Sequence, residues 1–136
     1  NAGCFEMIRV QSSGHGPKFP VKVDYNEEAK HPITMNLEDW VTPVGELYNN
    51  IQIFDTATAL ATGYQTLRDG KVAEAVIVWS NLYGPNKPRI FSASIGHTSE
   101  EIADENFAKL LVQGILWSID KLDDDGKPDE GYVAGE

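Results

Sequence analysis

From Lys18 hydrophobic and polar positions alternate, with Phe19, Val21, Val23 and Tyr25 on one side and Lys18, Lys22 and Asp24 on the other, a pattern that predicts a half-buried strand. The preceding Ser12-Ser13-Gly14-His15-Gly16-Pro17 is dense in residues that break regular structure and reads as a loop entering that strand. Phe5, Met7 and Ile8 recur at loosely helical spacing within Ala2 to Val10, like the end of a longer helix. Asn26 to Lys30 is turn-like, Pro32 biases His31 toward an extended backbone, Leu37 to Trp40 suits one helical turn, and Ile51 to Phe54 a short strand. Thr58 to Leu67 and Val72 to Trp79 flank Arg68-Asp69-Gly70-Lys71, whose Asp-Gly pair predicts a hairpin. Gly84 to Pro88 then connects to a strand over Arg89 to Ile95.

Thr98-Ser99-Glu100-Glu101 has the spacing of a capping box, and Asp104 can cap a second helix start. Phe107, Leu110, Leu111, Gly114, Ile115 and Trp117 or Ser118 follow helical spacing, so one wide stripe is expected to pack on a sheet. Beyond Leu122 the run Asp123 to Glu130 is too polar to bury. One domain over residues 1–122 with an acidic surface tail over 123–136 is the resulting organisation, and a mixed sheet with helices on its faces the economical architecture.

The length of 136 residues fits one core of ordinary size. Eleven Lys and Arg against twenty-one Asp and Glu give a formal charge of −10, which argues against nucleic acid and anionic membrane surfaces as partners. Six acids and two lysines from Lys121 onward place −4 of that charge in the last sixteen residues, so the body is only mildly acidic. No apolar run approaches the roughly 20 residues of a spanning helix. A single cysteine, Cys4, excludes an internal disulfide and a multi-cysteine metal site, while leaving the compartment open between periplasm, exterior and cytoplasm. Because the chain starts at Asn1 without an initiator Met or a signal-peptide pattern, a segment upstream is expected.

Candidate chemistry gathers on a few side chains. His15 lies between two glycines just before a strand, where a substrate can approach closely and an imidazole can shuttle protons near neutral pH; pinning the loop by hydrogen bonds is the alternative role. His97 follows Gly96 at the end of a strand and precedes a helix start, and ligands of α/β sheets bind beyond strand ends; a contact with the following helix turn is the alternative. Glu46 can serve as a base or orient a histidine, and Tyr48, two residues on, shares its face if the chain is extended there. His31 and Tyr83 are weaker candidates for substrate contact, and Trp79 suits the core better than a sugar-stacking site. The histidines and Glu46 lack the short helical spacing of a metal-ligand motif, so no metal site is assigned. With Gly126 set at the invariant glycine of a calcium loop, Lys121 and Tyr132 fall at its first and last ligand positions, and the pattern fails. Gly-x-Ser-x-Gly, Walker and Gly-x-Gly-x-x-Gly motifs are absent, and Cys4 has no histidine near it in sequence to activate a thiolate.

Gly14-His15-Gly16-Pro17, His31-Pro32-Ile33-Thr34 with Glu46-Leu47-Tyr48-Asn49, and Val78-Trp79 leading through Arg89-Ile90-Phe91 to Gly96-His97 and Gly114-Ile115-Leu116-Trp117 occur in an order that resembles the ThuA-like (trehalose utilisation) domain, in its central and C-terminal part. The resemblance implies a three-layer α/β domain, a mixed sheet of the class I glutamine amidotransferase-like and flavodoxin-like kind, with its N-terminal strands upstream of Asn1. It also implies a role in disaccharide catabolism through 3-keto intermediates, as an isomerase or hydrolase. Gly45 stands where the family pattern carries the first acid of an Asp-Glu pair, so a role needing that carboxylate has no residue here. Two functions follow as expectations. The first is acid/base chemistry on a keto-sugar or disaccharide derivative, with His15, Glu46 and His97 catalytic and Tyr48, His31 and Tyr83 contacting substrate. The second is a non-catalytic carbohydrate-binding or assembly module of a larger secreted or periplasmic system. No cofactor is specified; the expected partners are a small sugar derivative and either the upstream segment or another protein chain.

Overall fold

At Asp69-Gly70 the chain reverses as its sequence predicts. Gly70 adopts a φ of +82°, the Leu67 N–H donates to the Lys71 carbonyl at 2.7 Å, and Asp69 Oδ1 accepts from the Lys71 N–H at 3.1 Å. The molecule is seen in a computed structural model that describes residues 7–49, 51–53 and 55–133. Its strands are β1 (Val10–Gln11), β2 (Gly14–Phe19), β3 (Lys22–Tyr25), β4 (Trp40–Val41), β5 (Gly45–Asn49), β6 (Gln52–Ile53), β7 (Ala57–Thr66), β8 (Val72–Leu82) and β9 (Arg89–Ala93). A 3-10 turn spans Glu27–Ala29, and two helices follow the strands, α1 (Ser99–Ile102) and α2 (Glu105–Ser118).

Five strands form the main sheet in the order β4-β3-β7-β8-β9, while β2 pairs with β5 and β1 with β6 as separate ribbons. The chain is α/β as expected, but every pair in the main sheet is antiparallel. Short turns join β7 to β8 and β8 to β9, and parallel neighbours need a crossover of a dozen residues or more. A mixed sheet is therefore not what these strands make.

Strand β8 is covered on both faces. Ile77 and Leu47 both close on Gly63, where a Cβ would lie 2.9 Å from each. Beyond a register shift at Ile77, Trp79 Nε1 donates to the Ile8 carbonyl at 2.8 Å and Asn81 Nδ2 to the Met7 carbonyl at 2.9 Å. The opposite face carries Ser80, paired with Phe91 of β9. Gly114 of α2 seats on the Phe91 ring, where a Cβ would collide. The buried core includes Val21, Val23, Ile33, Leu47, Leu60, Ile77, Val78 and Leu110, each large apolar side chain contributing about 1.5–3 kcal/mol by leaving water.

Several expectations need correction. The alternating segment from Lys18 is two strands: Pro20 removes a ladder donor, and Val21 turns away to bond Thr42 through both its N–H and its carbonyl, each at 2.9 Å. Gly14 to Pro17 is strand rather than loop. Leu37 to Trp40 forms no helix; Trp40 opens β4 and donates from Nε1 to the Tyr25 hydroxyl at 3.2 Å. On α2 the buried line runs through Phe107, Leu110, Gly114 and Trp117, with Leu116 beside it; Ile115 is 56% exposed. The helical fragment expected over Ala2 to Val10 lies largely outside the described residues, as does Phe54; Met7 and Ile8 are helical. The capping box at Thr98 and the Asp104 cap are both present. Past Leu122 the chain turns on the surface, held by Asn36 Nδ2 and Gln113 Nε2 donating to the Gly126 carbonyl at 3.0 and 3.3 Å. Among the described residues no helix is long and apolar enough to cross a membrane.

Candidate active site

Strand alternation and one bulge set the first half of the site. Glu46 and Tyr48 are two apart on β5 and so share a face. Across the ribbon, His15 pairs with Tyr48 and Lys18 with Glu46, so three steps of β2 match two of β5, the extra residue forming a bulge at Gly16-Pro17. The bulge bends β2 so that His15 reaches past Tyr48 toward Glu46: His15 Nδ1 lies 3.7 Å from Glu46 Oε2. The His15 and Tyr48 rings stand 5.8 Å apart between centroids.

The second half comes from the other end of the sequence. After β9 the chain turns at Gly96, whose φ of +96° favours glycine and which packs on the Phe107 ring. His97 follows, and its Nδ1 lies 3.6 Å from the same Glu46 Oε2. Glu46 is 7% exposed overall, whereas the His15 and His97 side chains keep 53% and 43% of their surface. One nearly buried carboxylate thus stands behind two accessible imidazoles. A cleft of about 320 Å³ opens beside His97, lined also by Tyr48, Ser94, Ile95 and Gly96.

Hydrogen bonding fixes which nitrogen is free. His15 Nδ1 lies 2.9 Å from the Gly16 carbonyl; a carbonyl can only accept, so Nδ1 carries the proton and Nε2 holds the lone pair. For His97 the Glu46 oxygen facing Nδ1 favours the same tautomer. Both Nε2 atoms thereby keep their lone pairs. The separations exceed a hydrogen bond by a few tenths of an ångström, as is common for catalytic groups before substrate binds. A metal would have to meet the two Nε2 atoms; among the described residues no group of three or more His, Cys, Asp and Glu side chains is arranged to hold one.

The other two candidates lie elsewhere. His31 accepts from the Ile33 N–H at Nδ1, 3.3 Å away, so its proton is on Nε2, which faces Ser80 Oγ at 3.1 Å. Its ring packs on Trp117, 4.8 Å between centroids. By register, Ser80 is opposite Phe91 and Leu82 opposite Arg89, so His31 and Tyr83 belong toward the start of β9, while His97 lies beyond its end. Which end of a strand a residue occupies depends on pairing register, which the local pattern does not carry. Substrate contact by His31 or Tyr83 at the Glu46 site therefore has no geometric basis. Burial, with Arg89 adding to it, pushes the His31 pKa from 6.5 down to about 4. A histidine held neutral in the fold but protonated in the unfolded chain stabilises the protein above pH 6.5 and loses that contribution as pH falls toward 4. Comparing thermal unfolding midpoints of wild type and His31→Gln between pH 7 and pH 4 checks this: the wild-type fall should be the steeper.

Two supporting residues escaped the sequence reading. Gln65, 1% exposed, donates from Nε2 to the carbonyls of Pro17, Phe19 and Gly45 at 3.0, 2.9 and 3.4 Å, clipping β2 to β5 below the site. Gly16 lies directly against its amide oxygen, with no room for a Cβ. Gln65→Ala leaves these part-buried and buried carbonyls without this donor and is expected to cost about 2 kcal/mol, measurable by urea unfolding. Ser94 lines the cleft next to His97. A glutamine within a strand and a serine just past one look like surface residues in sequence.

Comparison with known proteins bears on the whole arrangement. The family model described as ThuA, trehalose utilisation, matches residues 3–118. A crystal structure described as that of a ThuA-like protein from Bacteroides uniformis ATCC 8492 superposes with a TM-score of 0.65 at 25% identity over 93% of this chain. The chain spans 56% of the length of that protein. Among proteins with curated descriptions, none matches. The family match, covering most of the sequence and including His15, Glu46 and His97, makes this chain a member of the ThuA (trehalose utilisation) family.

Proposed function

We propose that this domain performs acid/base chemistry on a keto-sugar or a disaccharide derivative carrying a ketone. The observation that supports it is the single Glu46 oxygen facing Nδ1 of both His15 and His97. In this reading Nε2 of one histidine removes the proton from the carbon next to the ketone, and the other, as an imidazolium, protonates the carbonyl oxygen, giving an enediol. Return of a proton at the neighbouring carbon completes an isomerisation. Expulsion of a leaving group from the enediol, followed by addition of water, completes a hydrolysis. Glu46 stabilises each imidazolium without itself reaching the substrate, and Tyr48 and Ser94 border the sugar. The family name supports a carbohydrate substrate. The same reading takes the antiparallel sheet as part of a larger three-layer, glutamine amidotransferase-like domain.

Incubating the protein with 3-keto-disaccharides and following products by NMR tests the reading. Formation of an isomer or of cleaved sugars supports it. Sugar binding without turnover supports instead a carbohydrate-binding module built on the same cleft.

A further inference from the structure

The most deeply buried carboxylate near the site is not Glu46. Glu101 is 1% exposed, on the four-residue helix α1. Its Oε2 accepts from the Thr98 N–H at 3.2 Å, the ordinary capping-box bond, and also from the His97 N–H at 2.9 Å. Thr98 Oγ1 accepts from the Glu101 N–H at 3.2 Å and lies 3.2 Å from the Val44 carbonyl, to which it donates. The other carboxylate oxygen, Oε1, is buried and has no hydrogen-bond partner among the described residues. It rests against Gly45, where a Cβ would lie 2.6 Å away.

A cap for one helical turn does not require this burial, because a capping glutamate bonds as well at the surface, and burying a carboxylate carries a large desolvation cost. What the burial adds is a fixed link between two segments far apart in sequence. One end of the Glu101 carboxyl group holds the His97 backbone; the other touches Gly45, the residue before Glu46. We infer that Glu101 is a positioning residue, which holds His97 at the distance from Glu46 that proton transfer requires, and that Gly45 lacks a side chain to admit it. This deepens the proposed function and rests on that reading for its purpose, but the geometry it asserts can be tested without any substrate.

The chain contains three histidines, so their imidazole nitrogens can be followed individually by ¹⁵N NMR. In the wild type, neutral His15 and His97 should show Nδ1–H and His31 should show Nε2–H, which makes His31 an internal control for the fold. Glu101→Ala should shift His97 toward the Nε2–H form preferred by free histidine while His15 and His31 keep their signatures. Gly45→Ala should do the same by pushing the carboxylate aside, and Glu101→Gln, which keeps an acceptor oxygen, should restore the wild-type pattern. Wild-type amide exchange adds a measurement that no folding defect can obscure: the His97 and Thr98 amides should exchange at least about tenfold more slowly than neighbouring loop amides. A His97 Nδ1–H signature that survives in folded Glu101→Ala or Gly45→Ala, or unprotected His97 and Thr98 amides in the wild type, overturns the inference. Absence of turnover in a protein that shows these signatures counts against the keto-sugar reading and leaves the positioning role standing.

Discussion

Glu46→Gln is expected to lower turnover of a 3-keto sugar by about 10²- to 10⁴-fold, the usual contribution of positioned acid/base groups. The substitution preserves shape but removes the charge that both imidazoles share. A neutral amide does not stabilise an imidazolium, and its NH₂ can turn toward a histidine, where it competes for the lone pair rather than supporting the proton. Glu46 sits behind the rings and not in the cleft, so substrate affinity should change little and the loss should fall on kcat. Single-turnover kinetics beside a binding isotherm separates the two. An equal loss in binding and turnover would place Glu46 against the substrate and contradict the arrangement described.

The second large effect concerns stability. Leu47 alternates with Glu46 and Tyr48 on β5, and is fully buried against Gly63 on the opposite side of the ribbon from the site. Leu47→Ala removes this apolar contact and leaves a cavity, at an expected cost of about 3 kcal/mol and a fall in Tm of about 10 °C. Calorimetry at neutral pH reads it directly. The same change at Leu82, 51% exposed at the end of β8, should stay within about 0.5 kcal/mol. A similar loss at both positions would mean that the ribbon does not pack on the sheet as described.

How far the sequence leads depends on whether a signal is local. The Asp69-Gly70 hairpin, the Thr98 capping box and, Ile115 apart, much of the buried line of α2 are set by neighbours within a few residues, and they were legible. So was the shared face of Glu46 and Tyr48, once the segment was read as extended. His15 was legible as a candidate but its structure was not: Gly14, Gly16 and Pro17 look like a loop, and only pairing with β5 makes them a bulged strand that carries the imidazole toward Glu46. The meeting of His15 and His97 at Glu46 depends on how β2, β5 and the segment after β9 come together, which periodicity does not encode. Gln65 and Glu101 were invisible as supports because a buried polar side chain has no local mark distinguishing it from a solvated one. The two tyrosines make the same point: alternation puts Tyr48 on the face of Glu46, while register places Tyr83 toward the start of β9, away from it.

The account turns on a proton leaving carbon under the control of His15, His97 and Glu46. Exchange of the hydrogen adjacent to the ketone of a 3-keto-disaccharide with deuterium from D₂O, followed by NMR or mass spectrometry, measures that event whether or not a later step completes. The account predicts deuterium incorporation with the wild-type protein, slowed at least about a hundredfold in Glu46→Gln. A sugar that is bound but retains all its carbon-bound hydrogen, or exchange that proceeds equally fast in the variant, would contradict it.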